Sequence, residues 1–143
     1  MVRVVEMKTL AIRQPWATLI AEGTKTVEVR TWRTAYRGQL LIVASGKPYL
    51  LLDVDRNSLT LPTQCQICTV DLIDCRPLTP DDFAAACVPD SDPDAALGYF
   101  AWVLANPRHV APVPHLGKLS LYRTPEGCVH LPGDVHYLDW TPF

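Results

Sequence analysis

The chain has 143 residues, 48% of them apolar and 20% charged, which is enough for one domain (1–143) with its own core. No apolar run reaches the roughly 18 residues of a membrane span. Glu6 and Lys8 fall where a secretory signal would stay apolar, so a cytoplasmic protein without membrane association is expected. The net charge of −2 argues against a broad phosphate-binding face, but it is unevenly spread: residues 1–47 carry +5 and residues 48–143 carry −7. A small basic patch of this kind suits a short or single-nucleotide ligand better than a long duplex.

Leu10 and Ile12 alternate with polar neighbours and predict a short first strand. Pro15 suits the first position of a helix, and Trp16, Leu19 and Ile20 share one face of it. Gly23 is placed to end that helix as a left-handed cap. A second strand is expected over Val27–Trp32, with Val27, Val29 and Thr31 on one face and Glu28, Arg30 and Trp32 on the other. Arg37-Gly38 is a turn, and Gln39–Ala44 is a continuous apolar run, the pattern of a strand buried on both sides. Within residues 49–62, Tyr49–Val54 fits helix or strand and Asn57-Ser58 looks like a turn.

Cys65–Cys75 reads as a central strand. Thr79-Pro80-Asp81-Asp82 then supplies a cap, a first-turn proline and acids at the positive end of a helix running to about Cys87. Residues 89–94 form an acidic loop. Gly98–Ala105, rich in β-branched and aromatic residues, is the most pronounced strand, and Asn106-Pro107 is expected to stop it. From Val110 onward, prolines and glycines predict short strand pieces. The sum is an α+β domain whose sheet is bent or closed.

Five cysteines without an export signal argue against a disulfide framework. Cys65 and Cys68, three apart on a strand, should point to opposite faces, which opposes a shared zinc ion. Cys68, Cys75 and Cys87 read as small core residues. No metal or cofactor site is expected. His109, His115, His130 and His136 lie in the proline-punctuated C-terminal third and read as surface or capping residues. The chain carries no nucleophile elbow, Gly-rich phosphate loop or metalloprotease helix.

The residues that stand out are charged groups on a strand. Glu28 and Arg30, two apart on one face, can meet, and the guanidinium would hold the carboxylate ionised. Two readings are open. Either they form a structural ion pair closing one end of a barrel, or they floor a cleft in which Arg30 donates to a ligand and Glu28 accepts from the amine of a base. Lys25 lies in the turn before them, and Trp32 shares their face as a platform for a base.

Arg13-Gln14-Pro15-Trp16, the element Gly23-Thr24-Lys25-Thr26-Val27-Glu28-Val29-Arg30, Arg37-Gly38 leading into a strand, and Ala105-Asn106-Pro107-Arg108 after an aromatic strand resemble the ASCH domain family. That resemblance implies a small PUA-like β-barrel with two or more short flanking helices. It also implies binding of RNA or single-stranded nucleic acid in a cleft lined by Lys25, Glu28 and Arg30, with Gln14 and Trp16 at its rim. With Trp32 and Arg33 from the same strand region, these are the expected ligand contacts. Some bacterial members are amidohydrolases that deacetylate acetylcytidine using a lysine, a threonine and a glutamate. Lys25 falls at that lysine, while Glu28 stands where the threonine would be.

Three functions follow: a module that binds a nucleotide or short single-stranded RNA; a hydrolase of a modified nucleoside, with Lys25 and Glu28 catalytic; or an interaction domain in which Glu28 and Arg30 only hold the barrel.

Overall fold

A computed structural model describes residues 3–4, 6–46, 50–52, 58–88, 92–133 and 135–139. In chain order these form β1 (Arg3–Val4), β2 (Met7–Arg13), α1 (Trp16–Ala21), β3 (Val27–Arg30), β4 (Gly38–Ser45), β5 (Leu50–Leu52), β6 (Ser58–Thr60), β7 (Cys65–Pro77), α2 (Phe83–Ala86), β8 (Phe100–His109), β9 (Leu121–Thr124) and β10 (Cys128–Val129), with short 3₁₀ turns at 80–82, 93–96 and 137–139. One six-stranded sheet runs in the order β3-β8-β7-β4-β2-β9, and β1–β10 and β5–β6 are separate pairs. Within the large sheet β2 and β4 are parallel and every other pairing is antiparallel. The sheet curls into a half-barrel accompanied by two short helices, in keeping with the expected architecture. No helix among the described residues is long and apolar enough to cross a membrane.

β4 is buried on both faces, as its unbroken apolar run requires. Leu40, Ile42 and Ala44 enter the main core with Leu10, Ile12, Ile20, Val70, Leu72 and Trp102, while Leu41 and Val43 enter a smaller cluster with Met7, Val110 and Cys128. α1 contributes Ala17, Ile20 and Ala21 and ends at Gly23, whose φ of 81° suits a residue without a Cβ. A helix of six residues is held by this burial and not by propensity.

Five expectations are corrected by the structure. Pro15 is the cap residue preceding α1, after a cis peptide bond from Gln14, and not its first helical residue. β3 ends at Arg30, short of Trp32. Asn106-Pro107 does not stop β8. The register passes from Asp71 opposite Ala105 to Thr69 opposite Arg108, so both residues sit in a bulge. Pro107 needs no ladder donor there, and Asn106, at φ 54°, donates its side-chain amide to Asp71 Oδ2 at 2.9 Å. A second irregularity in β7, where Ile42 faces Cys68 but Val43 faces Gln66, leaves Ile67 as an extra residue. It resets the side-chain alternation, so Cys65 and Cys68 both join the main core instead of opposing each other. Burial pushes both thiols above the ordinary cysteine value. Cys87 is only half-buried and ends α2 in a left-handed conformation. Part of the ambiguous 49–62 segment, and residues 89–91 of the acidic loop, lie outside the described residues.

The start of the second helical segment gives a stability prediction. Buried Asp82 accepts from Thr79 N (2.9 Å) and from both terminal nitrogens of Arg76 (2.8 Å each). The Arg76 hydrogen bonds, aided by the Thr79 amide, hold its carboxyl down at about 2. Asp82→Asn should cost about 2 kcal/mol in a urea melt, because the fork of charge-assisted bonds is lost. A folded-state value below the unfolded one means that this stabilisation is full above about pH 4 and is lost as pH falls toward 2. The Asp82→Asn protein should lack that part of the acid slope.

Candidate functional site

β9 pairs with β2 only over Met7–Leu10, so Ala11–Arg13 have no ladder partner on that side. The curl of the sheet brings β3, at the opposite edge, toward this gap. Arg30 bridges the two edges by donating Nη2 to the Ala11 carbonyl at 2.9 Å. The seam is a cleft of about 650 Å³ lined by Ala11–Arg13 and Ser45, by Trp16 at the start of α1, by Lys25, Glu28, Val29 and Arg30, and by Val88 and residues 117–120. Gly117 is required where that last segment crosses β2, since a Cβ there would lie 2.8 Å from the Ala11 Cβ.

The floor is an ion triplet. Glu28, with 8% of its surface exposed, receives Arg30 Nε at 3.1 Å and Nη2 at 3.0 Å on Oε2. Its Oε1 accepts from Val29 N at 3.2 Å and lies 3.6 Å from Lys25 Nζ. Lys25 is 3% exposed and donates to the Ala86 carbonyl at the end of α2. Burial lowers its pKa below the ordinary lysine value, against the opposing pull of Glu28. The Glu28 carboxylate is thus largely occupied by its own neighbours. Arg30 Nη1 has no partner among the described residues and remains a donor to the cleft.

Of the residues expected to contact a ligand, Trp16, Lys25, Glu28 and Arg30 line the cleft. Gln14 does not reach its rim. It is fully buried, donates to the Pro62 carbonyl at 2.9 Å and accepts from Thr18 N at 2.9 Å, so it holds the entry to α1. Trp32 is not in the lining either. Its ring meets Trp102 edge-on at 4.6 Å, and its carbonyl accepts from Trp102 Nε1. Past the end of β3 the alternation no longer governs its direction, and core burial wins. Arg33 lies over the Phe100 ring at 5.5 Å, also outside the lining. Arg13 and Ser45 complete the walls with Lys118 and Ser120, and the last two were not legible locally, since nothing in residues 110–120 relates them to β2.

A curled half-barrel whose open seam holds a buried lysine and glutamate beside a half-buried arginine defines a PUA-like barrel domain with a charged cleft. The ASCH domain family model matches residues 10–114, and the chain belongs to that family. ASCH is a PUA-like fold family associated with RNA binding. Activating signal cointegrator 1 of Mus musculus is 41% identical over 81 residues, 46% of this chain, and that of Homo sapiens is 36% identical over 80 residues, also 46%. In both, the match spans only 14% of the relative's length. The crystal structure of ASCH from Zymomonas mobilis superposes with a TM-score of 0.54 at 15% identity, covering 75% of this chain and 72% of that one. A tyrosine-to-phenylalanine mutant of the same protein gives 0.54 at 14% identity, covering 75% and 74%. These likenesses establish the fold.

Proposed function

We propose that the cleft binds a nucleotide or a short stretch of single-stranded RNA. The observation that carries this reading is an open seam of about 650 Å³ that places a cationic floor beneath a tryptophan wall. Arg30 Nη1, with Arg13 and Lys118 from the walls, meets phosphate or carbonyl oxygens. Trp16, not Trp32, supplies the face on which a base stacks. Glu28 orients Arg30 and is not itself the acceptor for a base edge, because its oxygens are already engaged.

Fluorescence anisotropy with a labelled single-stranded RNA hexamer tests the assignment. Trp16→Ala should weaken binding by about 5- to 150-fold, the 1–3 kcal/mol of a stacked base. The logarithm of affinity should fall with the logarithm of salt by only a few charges' worth. Unchanged affinity in Trp16→Ala with the fold intact would reject the stacking role.

A second reading, hydrolysis of an acylated nucleoside such as acetylcytidine, is favoured by one observation: a desolvated lysine with a lowered pKa beside a carboxylate in a cleft. Turnover of acetylcytidine above buffer, abolished in Lys25→Met, would support it. Absence of turnover in the parent protein would remove it.

A further inference from the structure

Away from the cleft, at the other end of α1, three side chains from distant parts of the chain converge. Glu22 caps α1, His109 ends β8, and His136 precedes the last 3₁₀ turn. Each offers one donor atom, and the three atoms lie within 4.8 Å of one another. None of the three lines the cleft. We propose that Glu22, His109 and His136 form a binding site for a divalent transition-metal ion.

The site is built, not incidental. Tyr137 is 1% exposed and shares a hydrogen bond with the Thr18 hydroxyl, which fixes the 135–139 segment against α1. The His109 and His136 rings lie 4.2 Å apart at 40°, and His136 stacks on Tyr137 at 4.7 Å. His136 Nδ1 accepts from Leu138 N at 3.0 Å, so in the metal-free protein its proton sits on Nε2 and is shared with Glu22 Oε1. Nδ1 of His109 is buried with no hydrogen-bond partner among the described residues. A polar nitrogen withdrawn from water without a partner is a cost that a coordinated cation offsets.

Two imidazoles and one carboxylate, with no thiolate in the group, suit Zn²⁺, Co²⁺ or Ni²⁺ and not Mg²⁺ or Ca²⁺, which prefer all-oxygen shells. Three protein ligands leave a position for water. Coordination through His136 Nε2 moves the ring proton to Nδ1, so the ion and the Leu138 contact exclude each other. An ion here ties α1, β8 and the C-terminal turn together.

The test uses the full chain stripped with EDTA and titrated with Co²⁺ and Zn²⁺. One equivalent should bind, giving a Co²⁺ visible spectrum without a thiolate charge-transfer band, a shifted Leu138 amide resonance and a higher melting temperature. Mg²⁺ should do none of this. Glu22→Gln, a change at an exposed position chosen to leave folding intact, should weaken Co²⁺ binding by roughly tenfold or more. No saturable binding, a thiolate band implicating the cysteines, or full affinity in Glu22→Gln would each overturn the assignment.

Discussion

Glu28→Gln is expected to destabilise the domain by about 3–5 kcal/mol, read as a shift of the urea midpoint at unchanged slope. The carboxylate sits under two cations that are themselves withdrawn from water: Lys25 at 3% exposure and the Arg30 side chain at 24%. Glutamine keeps one acceptor but turns an amide donor toward the guanidinium or the ammonium. What is lost is chiefly the compensation of charges that stay buried, and this is why removing one member of such a group costs more than the group contributes as a whole. The double variant Glu28→Gln/Lys25→Met should therefore recover a large part of the loss, and the two changes should be clearly non-additive. A cost below about 1 kcal/mol would mean that water reaches the triplet freely.

Lys25→Met should separate stability from binding. Methionine fills the same slot without a charge to desolvate, so the melting temperature should hold or rise. Affinity for a single-stranded RNA hexamer should fall by about tenfold, because a cation in a site shielded from water acts strongly on an anionic guest. The pH dependence carries the sign. Burial places the folded-state pKa of Lys25 below its ordinary 10.5. Between those two values the unfolded chain binds the extra proton, so this group makes stability rise with pH across that window. Lys25→Met should flatten that rise. A variant that melts early yet binds RNA normally would assign Lys25 to the scaffold and take it out of the ligand site.

Much of the fold could be read locally. The doubly apolar run of β4, the glycine after α1 and the proline-acid start of the second helical segment each act within a few residues, where propensity and patterning decide. The failures share a cause. The bulges at Ile67 and at Asn106-Pro107 shift strand parity, and a bulge is set by what the partner strand offers. Parity counted along β7 therefore misplaced Cys65 relative to Cys68, and a proline that would end an isolated strand is absorbed by its neighbour. Gln14 was drawn into the site by its place in the motif, and Trp32 by an alternation counted past the end of β3. The core claimed both: Gln14 satisfies the Pro62 carbonyl and the Thr18 amide, and Trp32 covers Trp102.

The amino-acid sequence alone determined that Lys25, Glu28 and Arg30 would lie close together, because a glycine-ended helix followed by a short strand spaces them within six residues. It also determined that they would be placed on or beside an element with one apolar face, with Val27 directed to the core. Only the tertiary structure decided that this strand edge faces Ala11 across a gap that β9 leaves open, and that residues 117–120 wall it in. Ladder length and sheet curl arise from pairings between residues some 100 positions apart, and no local pattern of side chains records them.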